Sequence, residues 1–255
     1  MSTRRPEGLR VLTYHRVNDT HAHDRLTVHP QLFAAQMEAL ARSGRPVIDL
    51  AQALPPLRGN GPLPEGALAL TFDDGFEDNF TVASPILERF GLRATFFIAT
   101  GYVGAAGTLD RYRRCCSADR ILDWNQVRAL QTRGHAIGGH SRTHRELALL
   151  TPTEALGEAE GCAQDIEAET GERPRLFCYP RGSENAEVRR LVGRAGFEAA
   201  CTVRPGANPV GIELLALRRT EVSGQDTIED FRLKLAGGFD AWHGLVQRVA
   251  GWRAR

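Results

Sequence analysis

The stretch Leu68 to Gly75, which reads Leu-Ala-Leu-Thr-Phe-Asp-Asp-Gly, constrains the fold of this chain more than any other. Its apolar run has the length of a buried strand, so Asp73 and Asp74 are predicted to stand at the carboxyl end of that strand. Active sites of parallel α/β folds lie at that edge of the sheet. Because successive side chains point to opposite faces, one aspartate can bind a metal while its neighbour accepts a proton from water. Asp-Gly after a strand is also an ordinary turn signal, and the stretch alone leaves that interpretation open.

Strand-like apolar runs alternate with helix-like segments along most of the chain. Besides the central run, the predicted strands are Leu9 to Tyr14, Ala94 to Ala99, His135 to His140, Leu176 to Tyr179, Ala199 to Val203 and Leu214 to Leu217. The predicted helices are Gln31 to Ser43, Asp78 to Phe90, Asp123 to Gly134, Thr151 to Thr170, Glu184 to Ala195 and Thr227 to Leu235. Within the second helix, Pro85 predicts a kink or a late start. This alternation predicts a parallel sheet of about seven strands with helices outside it. A barrel is favoured over an open sheet, because candidate functional residues fall at the ends of several strands.

Length and composition favour a single domain over residues 1–255. With 255 residues and 42% hydrophobic content, the chain can bury one full core. The formal net charge of +1 gives no electrostatic reason to expect a nucleic-acid partner. The polar N-terminus has no apolar stretch long enough for a signal peptide or a membrane span, so we expect cytoplasmic residence. Five cysteines without a Cys-x-x-Cys pair argue against a disulfide framework and a thiolate zinc site, and adjacent Cys115 and Cys116 are interpreted as filler rather than a redox pair.

Two histidines four residues apart, His140 and His144, follow a predicted strand. If the chain turns helical after His140, both imidazoles lie on one face and can hold one ion. A lone His-x-x-x-His is weak evidence. Combined with an Asp-Asp pair at another strand end, it completes two histidines and one carboxylate, with coordination positions left open for water and substrate.

Four short segments resemble the polysaccharide deacetylase (NodB-homology) family. Thr71 to Gly75 (Thr-Phe-Asp-Asp-Gly) and His140 to His144 (His-Ser-Arg-Thr-His) resemble its first two motifs, in the family's order and spacing. Phe177 to Gly182 (Phe-Cys-Tyr-Pro-Arg-Gly) is similar to the third motif in the branch that includes poly-N-acetylglucosamine deacetylases. Tyr14 to Val17 (Tyr-His-Arg-Val) extends the similarity to the first strand.

The resemblance implies a deformed (β/α) barrel and metal-dependent removal of an N-acetyl group from a sugar. It implies that Asp73 is the general base and that Asp74, His140 and His144 bind a divalent metal. Zn²⁺ is the expected ion, with Co²⁺, Ni²⁺, Mn²⁺ and Fe²⁺ as alternatives. Physical chemistry agrees with this assignment, since an aspartate beside a divalent ion is held ionised and can accept a proton from the nucleophilic water.

The third motif departs from the family pattern at two positions. Cys178 stands where many members carry an arginine that contacts the catalytic aspartate, and Arg181 stands where an aromatic residue is usual. We expect Tyr179 and Arg181 on the substrate or oxyanion side of the site. The Arg181 backbone N–H can still serve an oxyanion hole, because that role does not depend on the side chain. Its guanidinium either contacts an anionic part of the substrate or is a solvated surface group.

The general acid is the second departure. Most members take it from a histidine in a late strand motif, and nothing after Thr202 resembles that motif. In the poly-N-acetylglucosamine branch the corresponding histidine comes from the N-terminal strand, and His15 matches that position. Histidine titrates near neutral pH, so an imidazolium there could protonate the leaving amine. Without the resemblance, His15 would be interpreted as structural.

The leading hypothesis is a hydrolase that deacetylates an N-acetylated glycan or a glycan precursor. In the absence of a signal peptide, a lipid-linked or nucleotide-linked sugar is as good a candidate as a finished polymer. The alternatives are a hydrolase of another C–N bond in a small amide, a glycan-binding homologue without turnover, and a non-haem iron oxygenase, since two histidines and one carboxylate also suit Fe(II). The adjacent second carboxylate fits water activation better than oxygenase chemistry. The sugar and the oligomeric state stay open.

Overall fold

The computed structural model describes residues 8–21, 24–104, 109 and 119–238. Cys115 and Cys116, the adjacent cysteines interpreted above as filler, lie outside this described part. The strands are β1 Arg10–Tyr14, β2 Arg16–Val17, β3 Thr27–Val28, β4 Leu68–Phe72, β5 Thr95–Ile98, β6 Ala136–Gly139, β7 Leu176–Cys178, β8 Ala199–Cys201 and β9 Thr220–Glu221. The α-helices are α1 Pro30–Arg42, α2 Leu54–Leu57, α3 Ser84–Arg89, α4 Trp124–Thr132, α5 Pro152–Thr170, α6 Ala186–Arg194 and α7 Ile228–Ala236.

Seven of these strands form one parallel sheet in the order β8-β7-β6-β5-β4-β1-β9, while β2 and β3 form a separate pair. The predicted parallel sheet of about seven strands is therefore confirmed. In the register of β1 with β4, Tyr14 lies opposite Phe72. The next residues of the two strands, His15 and Asp73, consequently leave the sheet side by side, and the Asp73 N–H donates to the Tyr14 carbonyl over 3.0 Å.

The sheet curls until its two ends meet at a short segment that begins at Leu217. The Leu217 N–H donates to the Ala200 carbonyl and the Thr202 N–H donates to the Leu217 carbonyl, each over 2.8 Å. Three residues later, Thr220 pairs with Leu12 of β1. One short segment thus bonds β8 on one side and β1 on the other.

The predicted strand Leu214 to Leu217 was wrong in its type and its bounds. Residues Leu214–Ala216 form a 3₁₀ helix, and strand pairing starts only at Leu217. A four-residue apolar run has no periodicity that separates a buried strand from a helical turn. Pairing with β8 and β1 determines where the extended backbone begins, namely at Leu217.

The two faces of the sheet pack into different apolar clusters. Leu12, Leu70 and Phe96 belong to the cluster beneath α1, α3, α4 and α7. Their neighbours along the strands, such as Ala69 and Phe97, belong to the cluster on the inner face. This is the period-two alternation of an extended strand, so residues 69, 71 and 73 share the inner face at successive levels. Asp73 therefore stands at the top of the barrel interior.

The helix after β4 contains the irregularity that Pro85 predicted. Residues Asn79–Ala83 form a π-helical turn, and α3 begins at Ser84. Proline has no N–H to donate, and the Ser84 N–H reaches back five residues to the Asn79 carbonyl. No helix in the described part of the chain is long and apolar enough to cross a bilayer.

A buried histidine joins this helix to the start of β6. His135 is 3% exposed, its Nδ1 accepts from the Ala94 N–H, and its Nε2 lies 3.0 Å from the Ser84 hydroxyl. Because Nδ1 is the acceptor, Nε2 carries the proton and donates to Ser84, so this pair cannot activate the serine as a nucleophile. Burial first, and then the charge of Arg93, lowers the pKa of His135 to about 4.

We predict that this histidine makes stability depend on pH. Its pKa is about 6.5 in the unfolded chain and about 4 in the fold, so its contribution is complete above pH ~6.5 and is lost as the pH falls towards 4. In urea unfolding between pH 7.5 and 4, the wild type should lose stability more steeply than His135→Gln. Parallel curves for the two proteins would contradict the assignment.

Candidate active site

The carboxyl ends of the strands surround a cavity of about 780 Å³. All seven residues that the sequence analysis placed in the site line it: His15, Asp73, Asp74, His140, His144, Tyr179 and Arg181. They follow β1, β4, β6 and β7, whose carboxyl ends meet at one edge. The volume lies within the range of roughly 300–1,000 Å³ found for small-ligand sites.

Three buried side chains converge at the floor of this cavity. The Nε2 atoms of His140 and His144 lie 3.2 and 3.1 Å from the same oxygen, Oδ1 of Asp74. One ligand atom from each residue falls within 4.8 Å of the others. Two imidazole nitrogens and one carboxylate oxygen form a donor set that suits Zn²⁺ and related divalent ions, and three protein ligands leave positions open. The residues fit a divalent metal.

Hydrogen bonding orients His140 for this role. Its Nδ1 donates to the Cys178 carbonyl over 2.7 Å, which leaves Nε2 on the side of Asp74. Burial alone would lower the pKa of His140, but the hydrogen bond to Asp74 and the charges of Asp73 and Asp74 raise it. Burial likewise opposes ionisation of Asp74, yet His144 and His140 hold its pKa well below the usual range. Asp74 is therefore ionised in the fold, as a carboxylate metal ligand must be.

The turn that carries the two histidines is not helical, contrary to one route considered from the sequence. Ser141 and His144 have left-handed φ values of 60° and 57°, and no helix is assigned between them. The His144 N–H donates to the Ser141 hydroxyl over 2.9 Å, and the Gly101 N–H donates to the Arg142 carbonyl over 2.8 Å. The imidazole ring centroids are 4.9 Å apart. The rings meet because of this turn, not because of a helical repeat.

Arg219, which the sequence analysis missed, forms an ion pair with Asp73. Its Nη1 and Nη2 donate to the two oxygens of Asp73, each over 2.7 Å, and both side chains are buried. Burial would raise the pKa of Asp73, but the charge and hydrogen bonds of Arg219 outweigh it and lower the pKa to about 2. Asp73 is therefore ionised. The sequence feature that could have indicated Arg219 was Cys178, which stands where the resemblance implies an arginine. A buried aspartate without that arginine needs a cation from elsewhere in the chain.

Cys178 lies against this ion pair. Its Sγ is 3.5 Å from Oδ2 of Asp73 and 3.1 Å from Nη2 of Arg219. Burial raises the pKa of the Cys178 thiol well above its ordinary value, although Arg219 opposes the rise. The thiol stays protonated and serves as a weak donor to the carboxylate.

His15 faces the same carboxylate from β1. Its Nε2 lies 4.0 Å from Oδ2 of Asp73, and its side chain is 11% exposed. Burial lowers the pKa of His15, while the charges of Asp74 and Asp73 oppose that change. The ring lies in the wall of the cavity, within reach of a group bound beside Asp73.

The third motif, Phe177 to Gly182, offers fewer polar side-chain groups to the cavity than its sequence suggests. The Tyr179 hydroxyl donates to the Leu215 carbonyl over 2.9 Å, and the ring is fully buried. The Arg181 guanidinium is half exposed and pairs with Glu146 over 2.7 Å. Its backbone is left-handed, with φ at 55°. Both polar side-chain groups therefore have protein partners, and the main chain after β7 is what the segment offers at the cavity.

Comparison with known protein families yields a match over more than half of the chain. The model of the polysaccharide deacetylase family matches residues 60–200. This range includes Asp73, Asp74, His140, His144 and the third motif, Phe177 to Gly182. His15 and Arg219 lie outside it.

Individual proteins show the same relationship. YxkH of Bacillus subtilis (strain 168), which is named for this family, is 26% identical over 223 residues, covering 88% of this chain and 74% of YxkH. The poly-β-1,6-N-acetyl-D-glucosamine N-deacetylase of Escherichia coli (strain K12) is 36% identical over 128 residues, which is 48% of this chain and 18% of that protein. The structure of the Streptococcus pyogenes deacetylase PplD in complex with acetate superposes with a TM-score of 0.79 at 22% identity, covering 90% of this chain and 99% of PplD. This last likeness concerns the fold.

We predict that His140→Ala and His144→Ala each weaken binding of Zn²⁺ or Co²⁺ by more than the roughly 10- to 100-fold typical of changes to groups that only support a ligand. Each variant removes one of the three converging donors. Isothermal titration calorimetry of the metal-stripped protein measures the effect. Asp73→Asn is the matched control, because it alters the neighbouring aspartate without removing a donor of this set. Unchanged affinity in both histidine variants would refute the assignment.

We predict that Arg219→Met lowers the free energy of unfolding by about 3–5 kcal/mol, because it leaves the Asp73 carboxylate buried without a counter-charge. The pKa of Asp73, followed by carbon-13 NMR of its carboxyl, should rise by about one to three pH units. Arg218→Met is the control, since Arg218 is the exposed neighbour of Arg219. Equal effects of the two substitutions would contradict the role of Arg219.

Proposed function

The chain belongs to the polysaccharide deacetylase family, and from this premise we propose that it is a metal-dependent hydrolase that removes N-acetyl groups from an N-acetylated glycan or a lipid-linked or nucleotide-linked sugar precursor. The observation that carries the proposal is the pairing of two buried carboxylates with different partners. Asp74 faces two imidazoles that fit a metal, while Asp73 is ionised against Arg219. On this basis Asp74 is assigned as the metal ligand and Asp73 as the base.

Deacetylation requires water to attack the acetyl carbonyl, a C–O bond to form and the C–N bond to break. A divalent ion at Asp74, His140 and His144 would polarise the carbonyl and make bound water more acidic. Asp73 accepts a proton from the attacking water, because Arg219 keeps its carboxylate ionised and in one orientation. Acetate and a free amine are the products.

The amine leaves only if its nitrogen gains a proton. His15 is the proposed donor for this step, and its position supports the proposal, since its Nε2 lies on the cavity wall 4.0 Å from the Asp73 carboxylate. A protonated imidazole in this position donates its proton to the leaving nitrogen as the C–N bond breaks and returns to its neutral form. The Arg181 backbone N–H, at the cavity edge after β7, is the proposed donor to the carbonyl oxygen as negative charge develops there.

Glycan substrates are supported by the relatives. The Escherichia coli relative is named as a deacetylase of poly-β-1,6-N-acetyl-D-glucosamine, although this chain spans 18% of its length. The cavity wall beyond the metal floor is rich in polar and charged side chains: Arg25, Glu221, Ser223, Gln225 and Asp226. Such a wall suits hydroxyl-rich ligands better than apolar ones.

Acetate release tests the proposal directly. Protein reconstituted with Zn²⁺, Co²⁺ or Ni²⁺ is incubated with N-acetylglucosamine oligomers, lipid-linked and nucleotide-linked N-acetyl sugars, and small acyl amides. We expect acetate from at least one sugar substrate and none after chelation. Turnover of small amides alone, or turnover that survives chelation, would overturn the proposal.

The role of Asp73 gives a second prediction. Asp73→Asn should reduce kcat by about 100- to 10,000-fold, as loss of a general base typically does, while metal content stays at the wild-type level. The amide is similar in shape to the carboxylate but accepts no proton. Near-normal kcat in this variant would exclude Asp73 as the base.

A further inference from the structure

Two residues just beyond the Asp-Asp-Gly turn hold the segment that carries His15. Asn79 donates from Nδ2 to the His15 carbonyl over 2.8 Å. Asp78 accepts from the Asn18 amide over 2.6 Å and from the Val17 N–H. The segment 15–18 is therefore bonded at three points to residues 78 and 79.

The orientation of the Asn79 amide is determined by its neighbours. Nδ2 lies 2.8 Å from the His15 carbonyl oxygen and 2.9 Å from Oδ1 of Asp78. Both neighbours are acceptors, so the atom between them must be the NH₂ group with its two donors. Asn79 is completely buried, which makes loss of either hydrogen bond costly. Asp78 thus holds the amide that in turn holds His15.

His15 itself is held by the hydrogen bond from Asn79, while the strand ladders hold its two neighbours in the chain. It lies between the end of β1 at Tyr14 and the start of β2 at Arg16, outside both ladders. Its ring Nδ1 is buried and makes no hydrogen bond within the described part of the chain. Functional histidines are usually oriented by an acceptor at their second nitrogen. Here the position of the main chain must determine where the ring stands.

The helix geometry brings Asn79 to this carbonyl. Asn79 begins the π-helical turn that precedes Pro85, and π-turns within helices frequently occur at functional sites. The Asn79 N–H donates to the Phe76 carbonyl over 3.0 Å, which ties the residue to the loop after Asp74. The loop that carries both aspartates and the residue that holds His15 therefore form one continuous unit.

We propose that Asn79, held by Asp78, is a positioning residue that sets the His15 ring relative to the Asp73 carboxylate. The inference rests on the proposed function, in which Asp73 takes a proton from water and His15 delivers one to the leaving nitrogen. The two groups serve opposite ends of one reacting amide, so their separation affects the rate. A displacement of about 1 Å can cost on the order of 100-fold in rate.

The test is a double-mutant cycle of Asn79→Ala and His15→Ala, measured as acetate release. Asn79→Ala should lower kcat by about 10- to 100-fold, with KM within about threefold and metal content unchanged. In the His15→Ala background the same substitution should change kcat by less than about twofold, because its effect acts through His15. Equal losses in both backgrounds would show a general structural role and overturn the proposal.

Ser84→Ala is the matched control. Ser84 is a buried polar residue of the same helix, but it contacts His135 and Glu88 rather than His15. It should leave kcat within about twofold of the wild type. If Asn79→Ala does not fold, Asn18→Ala replaces it, since that variant removes one bond to Asp78 and should lower kcat in the same direction by a smaller factor. No loss of kcat in Asn18→Ala would then count against the proposal.

Crystal structures of the wild type and Asn79→Ala separate this inference from the proposed function. The distance from His15 Nε2 to Asp73 Oδ2 should change by about 1 Å or more in the variant, whether or not the protein releases acetate. An unmoved ring would overturn the positioning role. Absence of acetate release from every sugar substrate, with a displaced ring, would instead overturn the proposed function alone.

Discussion

The buried ion pair between Arg219 and Asp73 is the interaction on which the closed barrel and its floor depend. A guanidinium has five N–H donors and cannot be buried cheaply unless acceptors surround it. Here it donates to both Asp73 oxygens, to the hydroxyls of Thr13 and Thr71, and to the Thr202 carbonyl. These partners lie within or directly after β1, β4 and β8. One side chain therefore connects the segment that closes the sheet to three walls of the barrel and also holds Asp73 ionised.

The interior of the barrel changes from apolar to polar towards the cavity. Along β4 the inner face carries Ala69, then Thr71, then Asp73, and each polar group has a hydrogen-bond partner. Cys178 lies at the same height in the barrel as Asp73, with Sγ 3.5 Å from the Asp73 carboxylate. A thiol is much smaller than an arginine side chain, so it leaves the space that Arg219 enters from the far side of the ring, with Sγ 3.1 Å from Nη2. The small thiol of Cys178 and the guanidinium of Arg219 thus pack together against the Asp73 carboxylate.

The turn that carries His140 and His144 stores backbone strain that tertiary contacts offset. A non-glycine residue in the left-handed region costs on the order of 1–3 kcal/mol, and both Ser141 and His144 adopt it. Between them, Arg142 forms two hydrogen bonds with Asp165 of α5 at 2.8 and 2.6 Å. Gly161 in α5 leaves room for this contact, since a Cβ there would lie 2.5 Å from the Arg142 guanidinium carbon. The helix anchors the turn, and the turn presents both imidazoles.

The sequence by itself determined the alternating architecture and the positions of Asp73, Asp74, His140 and His144 at strand ends, because strand burial and turn chemistry are recorded in a few consecutive residues. Tertiary structure alone decided which cation accompanies Asp73. Arg219 lies 146 residues away in the chain, and no local pattern encodes such a contact. The same reason applies to the non-helical turn between the histidines, to the 3₁₀ helix in place of the last predicted strand and to the short closing strand β9. In each case the local sequence was compatible with more than one conformation, and packing against distant residues selected the one that is present.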